Sequence, residues 1–247
     1  MASNRKNTRL QHILGNDSPF AVTEAYKSTR TSLLFSNIND GCNVLAFTSS
    51  VSGEGKTVTC INVAISLAQS GKKVLVIDSD MRKPQVAASL RLSGAPGLSE
   101  ILSGVVDIDE LSCVQKTEQE GLSVITSGSI PPNPAELISC ARTDKLFEKL
   151  TAEYDYILID TPPSMVVTDA LLYKKFVAGY VVVVRSNYSR ADVIQKLLAR
   201  FEQVDARVIG LVLNDKEQKH KGYGKYGRYG RYGRYGKYGR YGNYYNE

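Results

Sequence analysis

A glycine-rich segment carries the most specific chemistry in the chain. Residues 50–57 read SVSGEGKT, directly after the strand-like run NVLAFTS. Glycine lets the backbone fold closely around an anion with its N–H groups turned inward, and a helix that follows adds the positive end of its dipole. Lys56 can reach the terminal phosphates of a nucleotide, and the Thr57 hydroxyl can ligate Mg²⁺. The segment predicts a nucleoside triphosphate site contacted by Ser52, Gly53, Glu54, Gly55, Lys56, Thr57 and Val58.

Aspartates follow two further apolar runs, at the points where strands would end. VLVIDSDMRKP places Asp78 and Asp80 after one run, and YILIDTPP places Asp160 after another. In an open parallel sheet, ligands bind at the carboxyl ends of the strands. A carboxylate there can hold Mg²⁺ directly or through water. The alternative for a single aspartate is a helix N-cap or a turn residue, but two such segments beside a glycine-rich loop favour a shared site.

Short apolar, β-branched runs alternate with helical stretches along the chain. Nearly continuous apolar strands separated by helices are typical of a parallel sheet that is covered on both faces. We therefore predict a doubly wound α/β fold with a mostly parallel sheet. Helices are predicted at 20–38 and 56–69. The predicted strands are 44–48, 73–77, 122–125, 156–159, 180–184 and 208–213.

The C-terminal segment differs in composition from the rest of the chain. Residues 221–247 hold seven Lys/Arg and one acid, whereas residues 1–220 hold equal numbers of bases and acids, so this segment carries the whole net charge of +6. It repeats Tyr-Gly-basic and contains nine of the 15 tyrosines. Without aliphatic side chains to bury, such a segment should be disordered. We predict a flexible arm at 1–18, a nucleotide-binding domain at 19–220 and a disordered tail at 221–247.

Cysteine spacing and hydropathy indicate the compartment. The four cysteines form no CxxC pair, so we expect reduced thiols rather than a disulfide framework or a zinc site. The N-terminus lacks the apolar region of a signal peptide. The longest apolar run, 177–184, has eight residues, whereas a transmembrane helix needs roughly 20. We expect a cytoplasmic protein that reaches a membrane through a partner or through its basic tail.

These motifs are similar to those of the bacterial tyrosine kinases, which lie within the deviant-Walker group of P-loop ATPases. SVSGEGKT resembles their Walker A box, although Ser50 stands where the common pattern has Gly. VLVIDSDMRKP resembles their second acidic box and ILIDTPP their Walker B box. The second box is the most discriminating, since it combines Asp78, Asp80, Arg82 and Pro84. GLSEILSG and NPAELIS also resemble family sequence, and the resemblance extends over residues 20–247.

The resemblance implies an ATP-dependent protein-tyrosine kinase that uses Mg²⁺ and acts in capsular or extracellular polysaccharide synthesis and export. Phosphoryl transfer needs position and charge neutralisation more than covalent chemistry. Lys56 and Mg²⁺ would stabilise the transferring phosphoryl group. Thr57 would ligate the metal directly, and Asp80 and Asp160 would position the metal or its waters.

Three further residues receive roles from the same resemblance. Asp78 would accept the proton of the tyrosine hydroxyl, although its roles and those of Asp80 could be exchanged. Arg82 would contact phosphate or substrate. Asn214 follows a terminal strand and resembles a position that contacts adenine, with a turn residue as the equal alternative. No HRD or DFG segment is present, so a eukaryotic-type kinase is not predicted.

In this family, the tail tyrosines are phosphorylated by a neighbouring subunit. The implied partners are the cytosolic segment of a transmembrane activator, docked at residues 1–38 or a nearby surface, and a cognate tyrosine phosphatase. The kinase would therefore lie in the cytoplasm at the inner face of the cell membrane. The predicted acceptors are Tyr223, Tyr226, Tyr229, Tyr232, Tyr235, Tyr238, Tyr241, Tyr244 and Tyr245.

The family assembles into rings through a Glu-x-x-Arg-x-x-Arg motif on an early helix. The matching residues are Glu24, Lys27 and Arg30. Lys27 departs from the motif, and lysine lacks the planar fork that pairs a carboxylate through two bonds. The departure puts the strength of ring assembly in question. The alternative is that the three residues form a solvated helix face.

Two other functions share part of this sequence pattern. A partition or septum-placement ATPase has the same Walker boxes, but such proteins carry an additional lysine early in the loop, where this chain has Ser50, Val51 and Ser52. The basic, tyrosine-rich tail could instead bind nucleic acid or an acidic membrane, since aromatic rings stack on bases and cations neutralise phosphates. The neutral body lacks the basic surface of a DNA-binding protein, so nucleic acid is not the partner we expect.

Overall fold

The computed structural model describes residues 13–36 and 42–215. The predicted tail at 221–247 lies outside these residues, as does most of the predicted arm at 1–18. The described end of the arm packs against the domain. Leu14 is buried, and its N–H donates to Asn62 Oδ1 at 2.9 Å. Residues at the end of the arm therefore contribute to the core.

The helices and strands follow the predicted alternation. The strands are β1 Asn43–Ser49, β2 Val74–Asp78, β3 Gln115–Lys116, β4 Leu122–Ile125, β5 Tyr156–Asp160, β6 Gly179–Arg185 and β7 Val208–Asn214. The α-helices are α1 Phe20–Leu34, α2 Lys56–Ala68, α3 Val86–Leu90, α4 Leu98–Ser103, α5 Pro134–Ile138, α6 Ala141–Glu153 and α7 Ala191–Gln203, with a 3₁₀-helix at Asp169–Tyr173. Each predicted strand is confirmed, with bounds that differ by at most one residue at either end.

The described strands form one sheet in the order β3-β4-β2-β5-β1-β6-β7. Strands β4, β2, β5, β1, β6 and β7 run parallel, and the two-residue strand β3 is antiparallel to β4. Asp160 lies opposite Asp78 of β2 on one side and opposite Phe47 of β1 on the other. The register therefore brings the carboxyl ends of three adjacent strands together.

Helices cover both faces of the sheet, which explains why the strands are apolar along their length. Every residue of β1 and β2 is buried. Because alternate strand residues point to opposite faces, Leu45 and Phe47 pack in one apolar cluster with α2, whereas Leu75 and Ile77 pack in another with α6. This arrangement confirms the doubly wound α/β fold.

Helix α2 is the central helix, and all of its residues except Val58 are buried. It begins directly after Gly55 and ends at Ala68, close to the predicted 56–69. The predicted end of α1 at residue 38 was wrong, because the helix ends at Leu34. Both the N–H and the hydroxyl of Ser36 bond to the carbonyl of Leu33, which closes the last turn. Residues 37 and 38 lie outside the described residues.

Membrane-spanning helices and cysteine thiols are the two features that bear on the expected compartment. Among the described residues, no helix combines the length and the apolar character needed to cross a membrane. The four cysteines have free thiols, with Cys60 and Cys113 buried and Cys42 and Cys140 partly buried. Burial, assisted by nearby Asp155, raises the pKa of Cys42 to about 11. This thiol is therefore protonated at neutral pH.

Candidate active site

The glycine-rich loop connects the end of β1 to the start of α2. Gly53 and Gly55 both have a φ of +89°, a left-handed conformation that glycine adopts without strain. A Cβ atom on Gly55 would lie only 2.0 Å from Asn214 Nδ2 at the end of β7. The glycine at position 55 is therefore required by the backbone conformation and also by the close approach of β7.

Lys56 lies at the centre of the predicted site. Its Nζ is 3.1 Å from Asp80 Oδ2 and 3.2 Å from Asp160 Oδ1. It also lies 3.2 Å from the Thr57 hydroxyl, which donates to Asp160 Oδ2 at 2.6 Å. All four side chains are buried. The structure thus brings together the predicted lysine, hydroxyl and two carboxylates.

Burial and pairing act in opposite directions on the protonation of these groups. Burial lowers the pKa of Lys56, but the carboxylates of Asp160 and Asp80 outweigh it and raise that pKa above its usual value. Burial raises the pKa of Asp160, and the positive charge of Lys56 opposes this effect only in part. Lysine in this arrangement stays charged, and its charge is shared between two carboxylates until another anion enters the site.

Asp78 has different surroundings from Asp80. Its side chain is completely buried and accepts backbone N–H groups from Asp80 at 3.2 Å, from Gln85 at 3.1 Å and from Val86 at 3.0 Å. Burial and the neighbouring charge of Asp160 raise its pKa to about 7. Asp78 therefore organises the turn from β2 to α3, whereas Asp80 faces Lys56.

Arg82 is held by an acid that the sequence motifs did not reveal. Its guanidinium donates through Nε to Asp169 Oδ2 at 2.9 Å and through Nη2 to Asp169 Oδ1 at 3.3 Å. Asp169 begins the 3₁₀-helix and is only 2% exposed. Arg82 was predicted to contact phosphate or substrate, and its partner in the structure is this aspartate.

The remaining predicted nucleotide residues line or support the loop. The amide of Asn214 donates to the Glu54 carbonyl at 3.1 Å, so Asn214 contacts the loop. The Glu54 carboxylate is buried and accepts bonds from the Ser50 hydroxyl, the Val51 N–H and the Ser189 hydroxyl. Glu54 therefore contributes backbone groups to the loop's surface while its side chain braces the loop from within.

Ser52 and Val58 lie at the two ends of this loop. Ser52 is exposed, and its carbonyl accepts the hydroxyl of Tyr188 at 3.0 Å. Val58 is partly buried in the first turn of α2. Arg185 ends β6, and Tyr188 and Ser189 follow it. All three contact the loop, but the sequence motifs did not identify them. The rule that ligands bind at carboxyl ends of parallel strands could have singled out this turn.

The predicted oligomerisation residues do not form one surface cluster. Glu24 and Lys27 are partly exposed and pair with each other at 2.8 Å. Arg30 instead donates from Nη1 to the Ser66 carbonyl of α2 at 2.8 Å. The nine predicted acceptor tyrosines of the tail lie outside the described residues.

The oxygen atoms beside Lys56 suit a magnesium ion that is bound together with a nucleotide. Hydroxyl and carboxylate oxygens of Thr57, Asp80 and Asp160 all approach the lysine. Mg²⁺ is usually held by one or two carboxylates together with substrate phosphates, rather than by a cage of protein ligands. The described part of the chain contains no group of three or more His, Cys, Asp or Glu that could hold a metal by itself.

Comparisons with known proteins cover most of the chain. A family profile described as an AAA domain matches residues 42–214. The tyrosine-protein kinase YwqD of Bacillus subtilis (strain 168) is 33% identical over 226 residues, which are 91% of this chain and 94% of YwqD. The tyrosine-protein kinase Wzc of Salmonella typhi is 38% identical over 210 residues, which are 85% of this chain and 29% of Wzc.

A solved structure agrees with the sequence relatives. The kinase domain of the Escherichia coli tyrosine kinase ETK matches with a TM-score of 0.75 and 31% identity, covering 89% of this chain and 80% of that domain. Sequence, fold and the arrangement of Lys56 between two strand-end carboxylates agree with the resemblance found in the motifs. The chain belongs to the AAA-domain proteins and, among them, to the family of bacterial tyrosine-protein kinases.

Proposed function

We propose that the chain transfers the γ-phosphoryl group of ATP to tyrosines of its own C-terminal tail, between neighbouring subunits of an oligomer. The observation that carries this proposal is the position of Lys56 Nζ, within 3.2 Å of Asp80, Asp160 and the Thr57 hydroxyl. A cation for the phosphates and oxygen ligands for a metal, placed directly after a glycine-rich loop, supply what phosphoryl transfer requires.

Each side chain of the site then has a separate task. The loop N–H groups and the N-terminus of α2 bind the phosphates, and Lys56 exchanges its carboxylate partners for phosphate oxygens. Thr57, Asp80 and Asp160 hold Mg²⁺, which when bound neutralises charge on the phosphates. The ion pair between Arg82 and Asp169 holds in place the segment after β2, which carries Asp80.

Transfer requires that one proton leaves the tyrosine hydroxyl. The hydroxyl oxygen forms a bond to the γ-phosphorus, the bond from that phosphorus to the bridging oxygen breaks, and ADP leaves. We assign the proton to the carboxylate of Asp78, whose pKa of about 7 suits a base at neutral pH. Asp78 is fully buried in the described structure, so this role requires the segment after β2 to open when tyrosine enters.

The tail suits a substrate that must enter another subunit's site. A random coil of 27 residues would span roughly 30 Å on average. Each phosphate adds about −1.5 to −2 charges, so about four phosphates would cancel the positive charge that the tail carries. Graded phosphorylation would thereby weaken contacts made by the basic tail and loosen the oligomer. Light scattering of phosphorylated and unphosphorylated protein tests this, and equal masses would contradict it.

The proposed setting is polysaccharide synthesis at the inner face of the cell membrane. The residues of Wzc that match this chain are 29% of that protein. A separate transmembrane protein would supply the activating cytosolic segment, and a cognate phosphatase would reset the tail. Ring assembly would use α1, on which Glu24 and Lys27 are partly exposed.

Mass spectrometry after incubation with Mg-ATP and the activating segment tests the proposal. We expect phosphotyrosine in the tail of the wild-type chain and none in a Lys56→Met variant. ATP hydrolysis without phosphotyrosine would indicate a switch ATPase and would contradict the kinase assignment for this chain.

A further inference from the structure

The outer side of the glycine-rich loop is held by Arg185, the last residue of β6, and by the turn that begins there. The hydroxyl of Tyr188 donates to the Ser52 carbonyl at 3.0 Å, and Arg185 Nη1 donates to the Gly53 carbonyl at 3.3 Å. The two donors contact each other, because the guanidinium of Arg185 lies over the Tyr188 ring at 5.4 Å from its centre. Two consecutive carbonyls of the loop are thus bonded from the same turn.

The next carbonyl along the loop is bonded from β7. It belongs to Glu54 and accepts the amide of Asn214 at 3.1 Å. A trans peptide unit points its N–H away from its carbonyl. The N–H groups of Gly53, Glu54 and Gly55 must therefore point to the opposite side of the loop, which is the side where phosphates would bind.

These three N–H groups are available to bind a ligand. Within residues 13–36 and 42–215, none of them donates a hydrogen bond. Backbone N–H groups without a protein partner, arranged on one face of a glycine-rich turn, form an anion-binding concavity. The side chains behind the loop therefore determine where its anion-binding groups point.

The turn after β6 is anchored at Asp215 as well as at the loop, where the Ser189 hydroxyl donates to the Glu54 carboxylate. Arg185 pairs with Asp215 through Nε at 2.9 Å and Nη2 at 2.8 Å, and its N–H donates to the Ser189 hydroxyl at 2.7 Å. Tyr188 is 51% exposed and packs in none of the three apolar clusters. Its hydroxyl therefore contributes little to the core, and its contact with the loop needs another explanation.

We propose that Tyr188 and Arg185 are positioning residues for the nucleotide's phosphates: they hold two loop carbonyls outward so that the N–H groups face the β-phosphate, without contacting the nucleotide. The inference rests on the proposed function in one respect, namely that the loop binds a nucleotide. It assigns a role to a turn that none of the sequence motifs includes.

A Tyr188→Phe variant removes only the hydroxyl. Loss of one hydrogen bond to the loop should weaken Mg-ADP binding about 3- to 10-fold. Because the hydroxyl is exposed, the melting temperature without nucleotide should stay within about 1 °C of the wild type. In the kinase reaction, KM for ATP should rise while kcat at saturating ATP is unchanged. A residue with a merely structural role would shift the melting temperature instead.

Tyr180→Phe is the matched control. Its hydroxyl also donates to a backbone carbonyl, that of Ala170 at 3.2 Å, but its side chain is buried in the apolar cluster that contains Phe201. This variant should lower the melting temperature and leave the affinity for Mg-ADP unchanged. An Arg185→Lys variant, which lacks the fork needed to bond Gly53 and Asp215 together, should resemble Tyr188→Phe in nucleotide affinity.

Isothermal titration with Mg-ADP on the full chain distinguishes the outcomes. Weaker binding by Tyr188→Phe and Arg185→Lys, with wild-type binding by Tyr180→Phe, would support the inference. Wild-type affinity in Tyr188→Phe, or equal weakening in Tyr180→Phe, would overturn it. A wild-type chain that binds no Mg-ADP would refute the proposed function itself, and the inference with it.

Discussion

Lys56 Nζ lies 3.2 Å from Asp160 Oδ1, and the same carboxylate accepts the hydroxyl of Thr57, the next residue along α2. The pair joins the start of a buried helix to the end of a central strand. Because the lysine is already paired, an incoming phosphate must compete with Asp160 and Asp80 for its charge.

Replacing Lys56 by Met should lower the rate of tyrosine labelling at least about 100-fold, because the transferring phosphoryl group loses the lysine's positive charge. It also leaves Asp80 and Asp160 facing each other without a cation, so nucleotide binding should become more dependent on Mg²⁺. Labelling with radioactive ATP measures the first effect, and Mg²⁺ titration of ADP binding measures the second. Lys72→Met, at an exposed position, is the control, and comparable labelling in the two variants would contradict the assignment.

Replacing Gly55 by Ala should remove nucleotide binding. Alanine at a φ of +89° is strained by roughly 1–2 kcal/mol, and its Cβ would in addition meet Asn214 Nδ2 at 2.0 Å. Gly71→Ala isolates the backbone cost, since Gly71 has a φ of +86° but no atom within 4 Å of the added Cβ. Urea unfolding and Mg-ADP titration should show both variants destabilised, with binding lost in Gly55→Ala alone. Normal binding in that variant would refute the close approach of β7.

Removing Arg82 should destabilise the protein through the partner it leaves behind. Arg82→Ala strips Asp169, which is 2% exposed, of its guanidinium, and a buried acceptor without its partner costs about 1–3 kcal/mol. Adding Asp169→Asn removes the buried charge and should recover part of this loss. Urea unfolding measures each free energy, with the exposed neighbour Lys83→Ala as control. Arg82→Ala should lower the free energy of unfolding clearly more than Lys83→Ala does. Equal free energies for the two variants would contradict the prediction.

The ionisation of Glu100 should make the stability of the fold depend on pH in the acid range. Burial raises its pKa, but hydrogen bonds from Ser129 and Gly97 outweigh burial and lower it below the usual 4.5. A carboxylate with a lowered pKa contributes stability above the unfolded-state pKa and loses it as pH falls through the folded-state pKa. Glu100→Gln should therefore lower the melting temperature most near pH 7, with a gap that narrows below about pH 4. A gap between the wild type and Glu100→Gln that stays constant as the pH falls would count against the prediction.

The positions of the strand-end aspartates could be predicted from sequence because they depend on strand periodicity. Parallel strands end at the same edge of a sheet, so Asp78 and Asp160 were expected at that edge. The register places them directly opposite. Lys56 and Thr57 follow from the loop motif, since the helix that begins there fixes their direction.

Contacts between distant segments could not be predicted in this way. Arg82 meets Asp169, which lies 87 residues later on a 3₁₀-helix that has no periodic signal. Arg30 belongs to a surface motif, yet it bonds to α2 because only one side of α1 rests on the domain. The two-residue strand β3 is too short for a pattern of alternation. Each of these features depends on tertiary packing rather than on local spacing.

Mixing two variants that cannot label their own tails tests the central claim most directly. One chain carries Lys56→Met and keeps its tail tyrosines, and the other keeps Lys56 but has Phe at all nine tail positions. Under conditions in which the wild-type chain labels its tail, we predict no tail phosphotyrosine in either variant alone. In the mixture, phosphotyrosine should appear on the tail of the Lys56→Met chain. A mixture whose tails stay unlabelled would contradict transfer between subunits. Tail labelling in the Lys56→Met variant when it is incubated without the other chain would contradict the assigned active site.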